Sequence, residues 1–358
     1  MDVTRTQLYP LIALAISALV VLLSTPLVRR YGLRSGLVDE PGGRKQHSRP
    51  MVRLGGISIF LGSLVALLLL WSVGGLSTFD STREWQIWGV TLGGLAFFLI
   101  GLADDFFQLS ALSRLAMQVI VASAVWATGV QIDVLSLPFS DAMLTLPDLL
   151  SYPITILWLV GMTNAINWID GLDGLAAGVS GISAVILMIV CLFVNQPAAA
   201  VVAGALAGGA LGFLRYNFNP AKIFMGDGGS YYLGFTLAGV GVIGLVKAYA
   251  AAAVVLPFLI LAVPLVDMSS VIVSRLRSGE SPFQADRRHL HHRLLRAGLS
   301  HRRTVLFIYG LTLWCGSLAL AFAGFPSGFA YAGAATGLMI YLLFQLRRKA
   351  IATSHDED

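Results

Sequence analysis

Five aspartates fall in three short motifs: Asp104 and Asp105 in GLADDFFQ, Asp170 and Asp173 in NAINWIDGLDG, and Asp227 in FMGDGGS. Each motif closes or opens a long apolar run. An aspartate at the centre of a membrane helix costs about 2.5–3.5 kcal/mol. Carboxylates gathered together repel unless they are protonated or share a cation. Mg²⁺ takes one or two carboxylates and completes its shell with water and phosphate oxygens. The complementary half of such a site is also present. Lys45 in DEPGGRKQHSRP, and Arg287 and Arg288 with His289, His291 and His292 in SPFQADRRHLHHRL, supply cations for phosphate oxygens. Carboxylates for a metal and cations for phosphates point to phosphoryl transfer, where the protein contributes positioning and charge stabilisation.

Plainer explanations exist for single features. A lone aspartate at a helix end is usually a cap, which explains the adjacent pair Asp104–Asp105 less well. MGDGGS alone is a glycine-rich turn, although the same glycines let backbone N–H groups approach a phosphate. The basic RKQH patch fits attraction to anionic lipid as well as substrate binding. Asp267 in PLVDMSS, inside an apolar run, reads as structural, and Pro50 and Arg53 in RPMVRLGG receive no individual role.

The elements that must position these residues are apolar helices. Of the 358 residues 56% are hydrophobic and 12% charged, against about 25% charged in a soluble domain. The fold class expected is an all-α polytopic membrane protein. Runs long enough to cross about 30 Å of hydrocarbon lie near 8–28, 54–74, 86–103, 113–129, 152–167, 174–194, 198–216, 229–245, 251–275, 303–323 and 328–346. That makes about eleven transmembrane helices in one integral-membrane catalytic domain, 1–346, followed by a short cytoplasmic tail, 347–358. The first run lacks a basic lead and a cleavage site, so it reads as a retained span. Cys191 and Cys315 lie inside apolar runs and imply no disulfide framework. With the N-terminus outside and the C-terminus cytoplasmic, all of the 24 lysines and arginines except Arg5, Arg83 and Lys247 fall inside, the bias that the positive-inside rule expects. The same topology puts every polar motif and all six histidines on the cytoplasmic face.

The order of these motifs, from DEPGGRKQH to HLHH, strongly resembles the polyprenyl-phosphate N-acetylhexosamine-1-phosphate transferases over nearly the whole chain, and SPFQADRRHLHHRLLRAG resembles their WecA type. The resemblance implies a Mg²⁺-dependent enzyme, with Mn²⁺ as an alternative ion, in the inner membrane of a bacterium. Its partners are undecaprenyl phosphate, UDP-N-acetylglucosamine and the lipid bilayer. The products are UMP and undecaprenyl-diphosphate-N-acetylglucosamine, a starting lipid for O-antigen, enterobacterial common antigen or a related glycan. By the same resemblance Asp227 is the metal-binding aspartate, joined by Asn167 through its side-chain oxygen. Asp104 and Asp105 are the pair near the lipid phosphate, holding the metal and orienting the nucleophile rather than acting as base. Asp170 and Asp173, with Asn164, line the nucleotide side. His289, His291 and His292 lie near the diphosphate with Arg287 and Arg288, and Lys45 and His47 belong to the first-loop motif.

Nothing in these motifs fixes the sugar ring, so UDP-N-acetylfucosamine or another UDP-N-acetylhexosamine is the rival donor. A cation-coupled transporter is the remote rival; transporters place their sites near the midplane between repeated halves, and no such halves are visible in the sequence. A homodimer is compatible with the sequence, and no nucleic-acid partner is expected.

Overall fold

In the computed structural model the described residues are 3–40, 50–136, 143–246, 255–281 and 288–355. They are almost wholly helical. The helices are α1 (Val3–Arg34), α2 (Gly55–Ser72), α3 (Ser81–Phe107), α4 (Ala111–Ala127), α5 (Asp148–Ile169), α6 (Leu175–Phe193) and α7 (Pro197–Asn217). They continue with α8 (Gly226–Gly241), α9 (Val255–Ile260), α10 (Ala262–Arg277), α11 (Leu290–Arg296), α12 (His301–Phe322) and α13 (Gly328–His355). Two small antiparallel pairs accompany them: β1 (Val38–Asp39) with β2 (Met51–Val52), and β3 (Val134–Ser136) with β4 (Met143–Thr145).

Each of the eleven apolar runs is helical where it is described. Among the described residues, eight helices are long and apolar enough to cross a membrane. α4 is shorter, and the run expected over 251–275 is broken into α9 and α10 at Leu261. The break has a cause in the sequence. Pro264 has no N–H to give to the carbonyl four residues back, and its ring crowds that carbonyl. α13 continues through His355, so helix extends beyond the apolar run that ends near 346.

Small residues set the packing. A Cβ on Gly204 would lie 2.2 Å from Pro10 O, and one on Gly208 2.1 Å from Leu14 O. α7 therefore rides on the backbone of α1, the close approach that small residues four apart permit in a bilayer. α8 is the innermost helix, buried from Gly228 through Leu245 and packed against α2, α3, α5, α6 and α7. Its entry is fixed by backbone pairing. Phe224 N–H donates to Val52 O (2.8 Å), Gly55 N–H to Phe224 O (2.9 Å) and Gly56 N–H to Met225 O (2.8 Å). This short ladder, continuous with β1–β2, ties the segment before α2 to the segment before α8.

Candidate active site

The end of α3, the end of α5 and the start of α8 meet at one end of the bundle, and they bring the aspartate motifs with them. Glycines make the meeting possible. A Cβ on Gly101 would stand 2.3 Å from Asp227 O, and one on Gly56 2.4 Å from Gly229 N, so α8 is pinched between α3 and α2. Gly226 adopts φ +76°, a left-handed backbone that glycine takes without strain. A Cβ there would also lie 2.3 Å from Arg53 O and 2.6 Å from Asp105 Oδ2.

Asp104 and Asp105 are adjacent but differently engaged. Asp104 is buried; its Oδ1 accepts the Leu109 N–H (2.8 Å) and its Oδ2 pairs with Arg114 Nη1 from the first turns of α4. The Asp104 and Asp227 carboxyls also lie within hydrogen-bonding reach of each other. Asp105 accepts the Gly228 N–H through Oδ2 (3.2 Å), while its buried Oδ1 has no hydrogen-bond partner and stands 3.6 Å from Arg53 Nη2. The carboxyls of Asp104, Asp105 and Asp227 bring oxygen donors to one place, the donor type that hard divalent cations take. Among the described residues no three His, Cys, Asp or Glu side chains form a complete metal cage.

Asn167 faces Asp227 with its amide nitrogen, donating to Asp227 Oδ1 and to Ser230 Oγ, each at 2.9 Å. In this arrangement it orients Asp227; turning its oxygen toward a metal would require rotation of the amide. Asp170, half-buried at the end of α5, has its carboxyl pushed up to about 7 by burial first and then by Asp227, with Arg53 opposing. Asp173 uses Oδ2 to accept from Asn219 Nδ2 (3.2 Å) and Ala221 N–H (2.9 Å), fixing the loop that leads to α8. Asn164 donates to Gln118 Oε1 on α4 (2.7 Å) and to Val160 O (2.8 Å), tying α5 to α4.

A second wall comes from α10 and α11. His289 and His291 stack with nearly parallel rings 5.7 Å apart, and His292 follows at 4.2 Å from His291. The pair rests on the turn that carries Asp170: Trp168 meets His289 edge-on at 5.8 Å, and a Cβ on Gly171 would lie 2.5 Å from His291 Nε2. Burial lowers His291 to about 4, aided by His292 and His289 and opposed by Asp267. Arg288 instead extends along α10, donating to Ser274 Oγ (3.3 Å) and Glu280 Oε1 (3.0 Å). Lys45, His47 and Arg287 lie outside the described residues.

Sequence reasoning passed over three residues that the fold brings to these walls. Arg53 acts on Asp105, Asp170 and Asp227 alike. Arg114 clamps Asp104. Its signal was a cation near a helix start, where the macrodipole disfavours it unless an anion compensates. Asp267 holds His289, and its signal was a carboxylate inside an apolar run.

The chain matches the family described as glycosyl transferase family 4 over residues 87–245. It is 39% identical over 298 residues to a Bacillus subtilis protein named probable undecaprenyl-phosphate N-acetylglucosaminyl 1-phosphate transferase, covering 83% of this chain and 80% of that one. It is 37% identical to the Mycobacterium tuberculosis decaprenyl-phosphate N-acetylglucosaminephosphotransferase, over 86% of this chain and 80% of that one. It is 32% identical to the Pasteurella multocida undecaprenyl-phosphate alpha-N-acetylglucosaminyl 1-phosphate transferase, over 87% and 85% respectively.

Proposed function

The chain belongs to the polyprenyl-phosphate N-acetylhexosamine-1-phosphate transferases of glycosyl transferase family 4, and from that premise we propose that it transfers N-acetylglucosamine 1-phosphate from UDP-N-acetylglucosamine to undecaprenyl phosphate. The observation that carries the reading is the convergence of Asp104, Asp105, Asp170 and Asp227 with Arg53 and Arg114 at one end of the bundle. A lipid phosphate and a soluble nucleotide sugar can both reach the end of a membrane bundle. With the topology read from the charge bias, that end faces the cytoplasm of a bacterial inner membrane.

A phosphate oxygen of the lipid attacks the β-phosphorus of the nucleotide sugar. The bond from that phosphorus to the bridging oxygen breaks, and UMP leaves with the electron pair. A phosphate monoester is already largely ionised at neutral pH, so no carboxylate is needed as base. Asp227 and Asp105 would hold Mg²⁺, with Asn167 orienting Asp227. Bound there, the ion would neutralise charge on the diphosphate oxygens. Asp104, committed to Arg114 and Leu109, keeps the neighbouring carboxylates in place. Arg53, whose guanidinium is half-exposed and rests on Asp105 beyond hydrogen-bond distance, is available to a phosphate oxygen. The product is the lipid-linked first intermediate of a surface polysaccharide.

The test is UMP release by purified protein in detergent with undecaprenyl phosphate, UDP-N-acetylglucosamine and Mg²⁺, beside EDTA and Asp227→Asn. Lipid-dependent release lost in both controls supports the proposal. Turnover only with another UDP-N-acetylhexosamine would keep the mechanism and replace the donor. Silence with every donor from folded protein would sink it.

A further inference from the structure

Asp267 lies in the second turn of α10, after Pro264, Leu265 and Val266, and its side chain is 3% exposed. A carboxylate so buried needs partners for its oxygens. Both partners come from the residues that open α11. Oδ2 stands 2.9 Å from His289 Nδ1, and Oδ1 accepts the Leu290 N–H at 2.6 Å. The second contact would be enough to cap the short helix. The first does something different, because a carboxylate on one imidazole nitrogen fixes ring orientation and tautomer. A proton on Nδ1 is then directed at Oδ2, and Nε2 is the nitrogen left for another ligand.

The surroundings place the ring beside the turn that carries Asp170. His289 is buried, sandwiched between the parallel ring of His291 and the edge of Trp168. Trp168 and Gly171, which His291 touches, flank Asp170 in sequence and in space. The histidine pair is therefore wedged against the turn that carries a site carboxylate.

We propose that Asp267 is a positioning residue of the transfer reaction, holding His289 through Nδ1 so that Nε2 meets a diphosphate oxygen of the nucleotide sugar beside Asp170. When the ring is an imidazolium, Nε2–H donates to that oxygen and Asp267 balances the charge. The inference rests on the proposed function, because the diphosphate belongs to its donor substrate.

The test uses the full chain in detergent and the UMP-release assay, with melting temperature measured for each variant. Asp267→Asn still accepts from Leu290 N–H but presents a neutral amide to His289 Nδ1, so the imidazolium loses the carboxylate that balances its charge. It is expected to lower kcat about 10–100-fold, the usual cost of losing such an outer partner, with little change in KM for the lipid. His289→Gln is expected to lose a similar factor, and the double variant no more than the worse single one. Multiplied losses, or an Asp267→Asn protein with full kcat and a lower melting temperature, would reduce Asp267 to a helix cap. Should Asp267→Asn not fold, His289→Asn decides: it keeps a donor toward Asp267 but lacks Nε2. Loss of kcat at an unchanged melting temperature supports the proposal, and retained kcat overturns it. A wild-type protein silent with every donor overturns the transfer reaction instead, so the two failures are distinct.

Discussion

Asp105 and Asp227 are held where backbone meets backbone, with Gly101 against Asp227 and Gly56 against Gly229, whereas His289 is held by one carboxylate reaching across from α10. The acidic wall cannot shift without moving three packed helices. The histidine wall can shift by breaking the two hydrogen bonds that Asp267 makes, to His289 and to Leu290 N–H. The difference suits a site with a soluble substrate that must enter and leave. The metal-holding side is preorganised, and the diphosphate-holding side is adjustable at low cost.

The comparison breaks first at the acids themselves. Asp227→Asn and Asp105→Asn are each expected to lower kcat about 10²–10³-fold, as loss of one charge-stabilising group does, while the protein stays folded. Asp105 Oδ1 has no hydrogen-bond partner to lose. Asp104→Ala should behave differently. It leaves Arg114 without its carboxylate and Leu109 N–H without its cap, so it should cost about 3 kcal/mol of stability, read as a lower melting temperature. Arg114→Met added to it should recover part of that loss. Equal stability for the Asp104 and Asp105 variants would erase the division between the two neighbours.

Much of this division was out of reach of the sequence, for a physical reason. The aspartate motifs and the eleven apolar runs were legible because membrane burial makes polar residues costly and leaves them conspicuous. Which oxygen of which aspartate is satisfied depends on contacts across the chain. Arg53 reaches Asp105 only because residues 52–56 pair with residues 224–225, and no local pattern announces that pairing. Asp173, alike in spacing to Asp170, spends its carboxylate on the loop before α8, and Asn164 is bound to Gln118. Three-residue spacing places such groups near one another and says nothing of what each finds opposite.

The backbone contacts sharpen the comparison at smaller magnitude. Gly101→Ala puts a methyl against the Asp227 carbonyl and the Gly228 nitrogen, and backbone cannot yield as a side chain can. Overpacking of this kind costs about 1–3 kcal/mol, and activity should fall with stability. Gly161→Ala on α5 is the control, since nothing lies within 4 Å of its Cβ position. There alanine should be neutral or stabilise the helix by up to about 1 kcal/mol. If both alanines are tolerated alike, the acidic wall is not held by close backbone contact.

The smallest effect distinguishes the walls by sign. His291 ordinarily titrates near 6.5 but in the fold only near about 4, so the unfolded chain takes up a proton that the folded chain refuses. Stability therefore falls as pH drops from about 6.5 to about 4, by at most about 1.4 kcal/mol per pH unit. Asp170 does the reverse. Its carboxyl, ordinarily near 3.8, accepts a proton at about 7 in the fold, so stability rises as pH drops from about 7 toward 3.8. In metal-free wild type the two slopes oppose each other. His291→Gln should leave the acidic slope alone, with a melting temperature that climbs as pH falls from about 7 to 4. Asp170→Asn should weaken the acidic slope, so that the melting temperature climbs less, or falls, between about pH 6.5 and 4 compared with wild type. Added Mg²⁺ should flatten the first slope, because the ion then does what the proton did among the carboxylates, and leave the second unchanged. Identical pH profiles for the two variants would mean that the walls do not titrate independently, and their opposition would have to be sought in geometry alone.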